Sequence, residues 1–328
     1  MELYPHISKH LSQVERIMAN DLEKEDARVF GLLLPFIKRG GKRIRPALSL
    51  LSCSAAGGKY EDMLAPAAII ELFHNFTLIH DDIEDDSKFR RGEPTLHVSH
   101  GIPIALNSGD ALYTLLWKRL ILLKIPPKSL IALQALYAEA FKRVVEGQGI
   151  ELSWIKSGRF DVTEENYLHM INGKTSALMG LSCEAGAAIA RAPMRTRRAL
   201  RSYGEKIGAA FQIQDDVLNL IGDFKKYKKE IGGDISEGKR TLMVVHFLKH
   251  ARAQDRARLV SILSSHSNAK EDISWTIEAM RDVGSIDYAR ECALRLVEEA
   301  KAELKRLPES ADRTALESIA TYVITRER

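Results

Sequence analysis

The chain has 328 residues, of which 45% are hydrophobic and 28% are charged, a composition typical of a globular protein with a large buried core. Its formal net charge of +4 is too small to predict nucleic-acid binding as the main function, so no nucleic-acid partner is expected. Three widely separated cysteines, Cys53, Cys183 and Cys292, predict neither a disulfide framework nor a zinc site, which favours a reducing cytoplasm.

The order of apolar and charged residues gives no sign of a membrane span. The N-terminal segment lacks the basic-then-apolar order of a signal peptide. The most apolar later stretch, Leu112 to Ile125, is interrupted by Lys118 and Arg119, so no transmembrane segment is expected.

The spacing of apolar residues predicts an all-α protein. Nearly every segment between glycine and proline breaks has apolar residues three and four positions apart, whereas strand-like alternation is hard to find. Roughly a dozen helices are expected, some long enough for a bundle. No flexible linker or short repeat divides the chain, so residues 1–328 are predicted to form a single domain.

A basic turn comes first among the segments that indicate chemistry. The sequence GGKRIRP, Gly40 to Pro46, places Lys42, Arg43 and Arg45 in a glycine-led turn before a predicted helix. The N-terminal amides of a helix favour an anion, so the pattern indicates a phosphate site. Taken alone, the segment is equally typical of a solvated basic turn.

The next helix ends in a dense acidic cluster. In HNFTLIHDDIEDD, His74 to Asp86, five acids fall within six positions. On a helix, Asp81 and Asp85 share one face, and Asp82 and Asp86 share the adjoining face. A solvated acidic helix end is the alternative, but acids at a helix C-terminus oppose the helix dipole. The spacing favours Mg²⁺, which binds one or two carboxylates together with water and phosphate oxygens.

Two further features flank this cluster. His74 lies seven residues before Asp81, on nearly the same helix face, and is interpreted either as a core histidine or as a ligand-binding residue. Arg90 and Arg91, which follow the acids, carry guanidinium groups suited to phosphate.

A second acidic segment repeats the pattern in a more apolar helix. In FQIQDDVLN, Phe211 to Asn219, Asp215 and Asp216 share a helix with Gln212. Buried carboxylates are costly without a metal or a basic partner. Additional cationic and hydroxyl groups that suit a phosphate-rich ligand occur nearby in the sequence, at Lys174, Thr175, Lys229 and Lys239.

Together these segments resemble the trans-prenyltransferase (polyprenyl synthase) family, with a match close to that of a geranylgeranyl diphosphate synthase. The motifs occur in the family's order over about residues 40 to 242: GGKRIRP, HDDIEDDSKFRRGEPTLH, GDAL, GKTSAL, FQIQDD and GGDISEGKRT.

The resemblance implies helices around a deep central cavity, usually in a homodimer. It implies a prenyltransferase that condenses isopentenyl diphosphate with dimethylallyl, geranyl or farnesyl diphosphate, using up to about three Mg²⁺ ions per site. The expected product is a short all-trans prenyl diphosphate, foremost geranylgeranyl diphosphate.

The resemblance also implies roles for individual residues. Expected metal ligands are Asp81, Asp82, Asp85, Asp215 and Asp216. Isopentenyl diphosphate is expected at Lys42, Arg45, His74 and Arg91, and the allylic diphosphate at Arg90, Lys174, Thr175, Gln212, Lys229 and Lys239. The expected catalytic groups are Asp81, Asp82, Asp85, Asp215, Lys174 and Thr175.

The sequence departs from the family pattern at a few positions. Asn219 replaces a third aspartate in the second acidic motif, which leaves an oxygen ligand but one charge fewer. The first motif has two additional acids, Glu84 and Asp86. The assignment of Lys229 is uncertain by one position, since Glu230 stands beside it.

Other functions remain open at this point. A terpene cyclase or head-to-head synthase also uses acidic helices, but it has little use for GGKRIRP and His74. An inactive regulatory subunit need not keep both acidic motifs, as this chain does. A farnesyl or longer-chain synthase is a further alternative.

Product length is predicted from Phe76 and Thr77. Phe76 lies five residues before Asp81, or roughly 7 Å along a helix, where an aromatic ring can form a floor for the growing tail. In the resembling family, a bulky residue here beside a small Thr77 points to a twenty-carbon product. The alternative is that Phe76 packs in the core with Leu72 and Phe73.

Overall fold

The computed structural model of the chain describes residues 5–222 and 232–326. Helices make up most of these residues, so the predicted all-α fold is confirmed. The first half begins with a 3-10 turn, Pro5–Ile7, and continues with α1 (Ser8–Glu23), α2 (Ala27–Phe30), α3 (Leu33–Lys38), α4 (Ile44–Ala55), α5 (Tyr60–Glu84), α6 (Leu96–His100), α7 (Ile102–Ile121) and α8 (Pro127–Ser157).

The second half is helical in the same way. It contains α9 (Glu164–Ile171), a π-helical turn (Asn172–Ser176), α10 (Ala177–Ile189), α11 (Met194–Ile221), α12 (Gly233–Ser236), α13 (Leu242–His250), α14 (Ala253–Ser264), α15 (Lys270–Asp282), α16 (Ser285–Leu304) and α17 (Ala311–Thr325).

A small hairpin follows α5. Strands β1 (Phe89–Arg90) and β2 (Glu93–Pro94) pair antiparallel, with Arg90 opposite Glu93. The two linking residues, Arg91 and Gly92, have positive φ angles of 56° and 82°, as a tight hairpin turn requires.

The helices group into two compact units. The first unit comprises Met1–Ala138, Leu181–Arg201 and Leu307–Leu316, and the second comprises Glu139–Gly180, Ser202–Arg306 and Glu317–Arg328. The single-domain organisation of residues 1–328 stays a prediction.

Helix α5 is the centre of the first unit. It packs against α1, α4 and α7, and Ile70 and Phe73 on it are fully buried. The approach of α7 depends on Gly109 in the GDAL motif, because a Cβ atom there would lie 2.4 Å from the ring of His80. Glycine therefore lets α7 approach the end of α5 that carries the acidic cluster.

By length and composition, α5 is also the one helix in the described residues that could cross a membrane. Of the tested window, 61% is buried inside the protein, as is usual for a core helix.

In the second unit, a π-helical turn sets the position of Lys174 and Thr175. Helix α9 starts at a capping box, in which Thr163 and Asn166 exchange side-chain to backbone hydrogen bonds. The π turn follows directly, and α8 contacts it at Gly147, where a Cβ atom would clash with the backbone nitrogen of Lys174. Such turns often occur at functional sites, because they change the direction of side chains on a helix.

Candidate active site

The glycine-led turn is held in place by Arg43. Arg43 has a left-handed φ of 48° and its side chain is buried. The guanidinium donates to Glu71 at 2.8 Å, to Glu15 at 2.8 Å and to the carbonyl oxygen of Ile37 at 2.9 Å. Arg43 therefore anchors the turn to the core, although the sequence pattern grouped it with the phosphate-seeking residues.

Arg45 and His74 meet on the neighbouring helices α4 and α5. Arg45 Nη1 lies 3.2 Å from His74 Nε2. Burial lowers the pKa of Arg45 to about 10. Burial, followed by the charge of Arg45, holds the pKa of His74 well below its usual 6.5. His74 is therefore neutral at physiological pH, and its Nε2 accepts the hydrogen bond from Arg45.

Arg91 joins this group from the hairpin. It donates to the carbonyl oxygen of Gly40, and a Cβ atom at Gly41 would lie 2.9 Å from its Nη2. Its charge also contributes to the lowered pKa of His74. The structure thus brings together three residues expected at the isopentenyl diphosphate site, Arg45, His74 and Arg91. Lys42 lies half-buried on the same turn.

The first acidic motif lies where α5 ends. The helix stops at Glu84, and Asp86 has a positive φ of 49° and pairs with Lys88 at 2.7 Å. The expectation that Asp82 and Asp86 share a helix face was therefore wrong, because Asp86 lies beyond the last helical turn. Asp81 and Asp85 are half-buried at this end, and the backbone nitrogen of Asp85 donates to the carbonyl oxygen of Asp81 at 2.9 Å.

Asp82 is enclosed more fully than its neighbours. It is 1% exposed, and Arg90 Nε donates to its Oδ1 at 2.6 Å. Burial raises the pKa of Asp82, while the charge of Arg90 opposes that shift. Its Oδ2 is buried with no hydrogen-bond partner in the parts of the chain that the structure describes.

Phe76 belongs to an aromatic cluster that joins α5 and α7. Its ring centre lies 5.4 Å from that of Phe73, 5.1 Å from that of Tyr113 and 4.6 Å from that of His80. Thr77 donates its hydroxyl to the carbonyl oxygen of His74 at 2.8 Å. Phe76 is half-buried, so it combines core contacts with some accessible ring surface.

The second acidic motif lines a polar cavity within the second unit. Five residues expected from the sequence line this cavity together, namely Lys174, Gln212, Asp215, Asp216 and Lys239. Lys229, the remaining basic residue expected here, lies outside the described residues. The lining also includes residues that sequence reasoning did not assign, among them Glu151, Tyr167, Asp234 and Arg240.

A chain of hydrogen bonds fixes the side chains of this cavity. Thr175 donates to Gln212 Oε1 at 2.7 Å, and Gln212 Nε2 donates to Asp216 Oδ1 at 2.8 Å. Tyr167 donates to Asp216 Oδ2 at 2.8 Å. Burial and the nearby charge of Asp234 raise the pKa of Asp216 well above its usual value. A cation in the cavity would stabilise the ionised form.

The lysines of the cavity are paired with acids. Lys174 contacts Glu151 closely, and Lys239 lies 3.6 Å from Asp234. Although burial favours the neutral form of Glu151, the charges of Lys174 and Lys239 lower its pKa below the usual value. Acidic and basic side chains therefore line the cavity together, a combination that suits a ligand made of metal and phosphate.

Asn219, the departure from the family pattern, anchors a loop. Its Oδ1 accepts from the backbone nitrogen of Asp234 at 3.0 Å, and its carbonyl oxygen accepts from Gly232 at 2.8 Å. The amide at this position therefore holds the GGDISEGK segment against α11.

The donor atoms fit a hard divalent cation. No three His, Cys, Asp or Glu side chains within residues 5–222 and 232–326 are arranged to hold a metal ion by themselves. Mg²⁺ needs only one or two carboxylates when phosphate and water complete its shell. A nearby cation would give the buried Oδ2 of Asp82 a partner. It would also stabilise the charged form of Asp216, whose pKa is raised.

The sequence of this chain is similar to those of known proteins. A family model described as polyprenyl synthetase matches residues 30–280. The chain is 43% identical over 291 residues to a short chain isoprenyl diphosphate synthase of Methanothermobacter thermautotrophicus, covering 89% of this chain and 88% of that protein.

The fold of this chain is similar to those of solved structures. The geranylgeranyl pyrophosphate synthetase of Pyrococcus horikoshii superposes with a TM-score of 0.93 and 36% identity, over 99% of this chain and 98% of that one. A polyprenyl synthase from Caulobacter crescentus, complexed with calcium and isoprenyl diphosphate, gives a TM-score of 0.91 and 26% identity, over 100% and 98% of the two chains.

Proposed function

We propose that this chain, which belongs to the polyprenyl synthetase family, makes geranylgeranyl diphosphate with the help of Mg²⁺. The chain is a prenyltransferase of isoprenoid biosynthesis, which condenses isopentenyl diphosphate with allylic diphosphates. The resemblance deduced from the motifs is thereby confirmed.

The polar cavity of the second unit is the observation that best supports this proposal. Its lining combines Asp215 and Asp216 with Lys174 and Lys239. We assign the allylic diphosphate to these lysines, together with Arg90, Gln212, Thr175 and Lys229. The calcium and isoprenyl diphosphate bound to the Caulobacter crescentus relative support a ligand of this kind.

Metal is assigned to both acidic motifs. Asp81, Asp82 and Asp85 would hold it in the first, and Asp215 and Asp216 in the second. Mg²⁺, when bound, supplies positive charge that neutralises the departing diphosphate and so eases cleavage of the allylic C–O bond.

The side chains of the protein then have separate tasks. Lys174 and Lys239 hold the diphosphate while it leaves. Thr175 and Gln212 hold each other in a fixed orientation and offer oxygen dipoles to the allylic cation, without a nucleophile strong enough to trap it.

The second substrate is assigned to the group around the glycine-led turn. Lys42, Arg45 and Arg91 bind isopentenyl diphosphate, and neutral His74 orients Arg45 through their hydrogen bond. The double bond of isopentenyl diphosphate attacks the allylic cation, a new C–C bond forms, and a proton is lost to the released diphosphate.

A twenty-carbon product is supported by two observations. The similar protein of Pyrococcus horikoshii is a geranylgeranyl pyrophosphate synthetase. The half-buried ring of Phe76, held between Phe73 and Tyr113, is suited to stop a growing tail.

A homodimer and a cytoplasmic location are also proposed. Large apolar side chains are exposed on α6 and α7, including Val98 at 49%, Ile102 at 55% and Leu106 at 44%. Apolar surface of this kind is typical of a protein–protein interface. The three cysteines are free and buried, which agrees with a reducing compartment.

A simple incubation separates this function from that of a terpene cyclase. The protein is supplied with farnesyl diphosphate and Mg²⁺, with or without isopentenyl diphosphate, and the products are extracted. Farnesyl diphosphate should be consumed only when isopentenyl diphosphate is present, and the product should remain a diphosphate ester. Release of a hydrocarbon from farnesyl diphosphate alone would contradict the proposal.

A further inference from the structure

Arg326 contacts the second acidic motif from outside any motif of the sequence. The residue follows α17, and its backbone nitrogen donates to the carbonyl oxygen of Tyr322 at 3.0 Å. Its Nη2 donates to Asp215 Oδ1 at 2.8 Å and to the carbonyl oxygen of Phe211 at 3.2 Å. The guanidinium carbon lies 3.8 Å from the centre of the Phe211 ring. Arg326 is thus fixed by a charge, a carbonyl oxygen and an aromatic face.

The burial of this pair is uneven. The side chain of Arg326 is 4% exposed, whereas that of Asp215 is 28% exposed and lines the cavity. Arg326 Nε is buried with no hydrogen-bond partner among the described residues. Burying a guanidinium with an unsatisfied donor is costly, and a buried ion pair is weak evidence of a stabilising role.

The hydrogen bond from Arg326 instead restricts the orientation of the Asp215 side chain. An aspartate side chain can rotate about two bonds, and Asp215 lines the same cavity as Asp216, so the two carboxylates repel each other. The guanidinium of Arg326 holds Oδ1 of Asp215, and its positive charge offsets part of that repulsion. Hydrogen-bond partners behind a metal ligand typically contribute about 10- to 100-fold to metal affinity.

We infer that Arg326 is a positioning residue, which orients the Asp215 carboxylate towards a divalent metal bound with diphosphate in the cavity. This inference rests on the proposed function, in which Asp215 is a metal ligand. Arg326 does not touch substrate in this account.

Metal binding can be measured without turnover. Isothermal titration calorimetry with Mn²⁺ and inorganic diphosphate gives the dissociation constant for wild type, Arg326→Met, Arg326→Gln and Asp215→Asn. Arg258→Met is the matched control, because Arg258 also stacks on an aromatic ring, that of Trp275 at 4.2 Å, but does not line the cavity.

Arg326→Met should weaken binding about tenfold, and Arg326→Gln, which keeps a donor but loses the charge, about threefold. Arg258→Met should bind as wild type does. Arg326→Met combined with Asp215→Asn should be no weaker than Asp215→Asn alone, because both changes remove the same interaction. If Arg326→Met fails to fold, the dissociation constant of Arg326→Gln tests the inference.

Wild-type affinity in a folded Arg326 variant would overturn the inference, as would additive losses in the double variant. If Asp215→Asn itself bound Mn²⁺ and diphosphate normally, the assignment of Asp215 as a metal ligand would fail instead. The two failures are therefore distinguishable.

Discussion

The guanidinium of Arg43 lies 2.8 Å from the carboxylate of Glu71, and both side chains are buried, at 6% and 3% exposure. Two residues later, Arg45 instead meets the neutral ring of His74. These two arginines at the start of α4 therefore have different surroundings, and we expect different results when each is removed.

Arg43→Ala should destabilise the protein. It leaves Glu71 as an uncompensated charge in the core, and breaking a buried pair in this way costs about 3–5 kcal/mol. Arg45→Ala leaves no buried carboxylate unpaired and should cost less. Urea unfolding of both variants would test this expectation, and equal free energies of unfolding would contradict it.

Arg45→Ala and Lys42→Ala should instead weaken isopentenyl diphosphate more than the allylic substrate, since the turn is assigned to the former alone. Arg90→Ala should do the reverse. Because Arg90→Ala also unpairs Asp82, Arg90→Lys, which keeps a positive charge beside Asp82, is the control. Steady-state kinetics supplies both KM values. Equal weakening of the two substrates by each change would rule out two separate diphosphate sites.

His74 should make the stability depend on pH. Its folded pKa is lowered by burial and by Arg45, whereas the unfolded pKa is about 6.5. Below that pH the unfolded chain binds a proton that the folded protein does not bind. The free energy of unfolding should therefore fall as the pH drops from 7.5 to 5.5, by up to about 1.4 kcal/mol per pH unit from this residue.

The variant His74→Asn should lose that part of the slope. His100→Asn, at an exposed position, is the control. Urea unfolding at several pH values gives the slopes. A slope in His74→Asn equal to that of wild type would mean that folding does not lower the pKa of His74.

Phe76 and Thr77 should set the product length. Phe76→Ala should extend the products beyond twenty carbons, because each additional buried CH₂ gains about 0.8 kcal/mol once space exists. Thr77→Phe should shorten them. Chromatography of dephosphorylated products measures the distribution. If both variants gave the wild-type distribution, Phe76 would be a core residue and no more.

Much of the site could be predicted because its residues follow local patterns. The apolar periodicity before Asp81 predicted the helix that became α5, Tyr60–Glu84. The end of that helix was not predicted correctly, since Asp86 was expected on it. Asp86 continues the acidic run, but its backbone turns left-handed, and nothing in the spacing of the acids indicates the change.

Other features depend on partners that are distant in the sequence. Nothing near Arg43 shows that Glu15 and Glu71 will enclose it. Tyr167 reaches Asp216 from α9 and belongs to no motif. Glu151 offered a weak signal, as an acid between the apolar residues Ile150 and Leu152, but its role became evident only when Lys174 was placed beside it.

The most direct test of the central claim is chain elongation itself. The protein is incubated with labelled isopentenyl diphosphate and dimethylallyl diphosphate, with Mg²⁺ or with a chelator, and the products are sized. Wild type should give a twenty-carbon diphosphate with Mg²⁺ and no elongation with chelator. Asp81→Ala and Asp215→Ala should nearly abolish the product while circular dichroism shows unchanged helical content. Absence of elongation by the folded wild type in Mg²⁺, or near-normal turnover by either variant, would contradict the account.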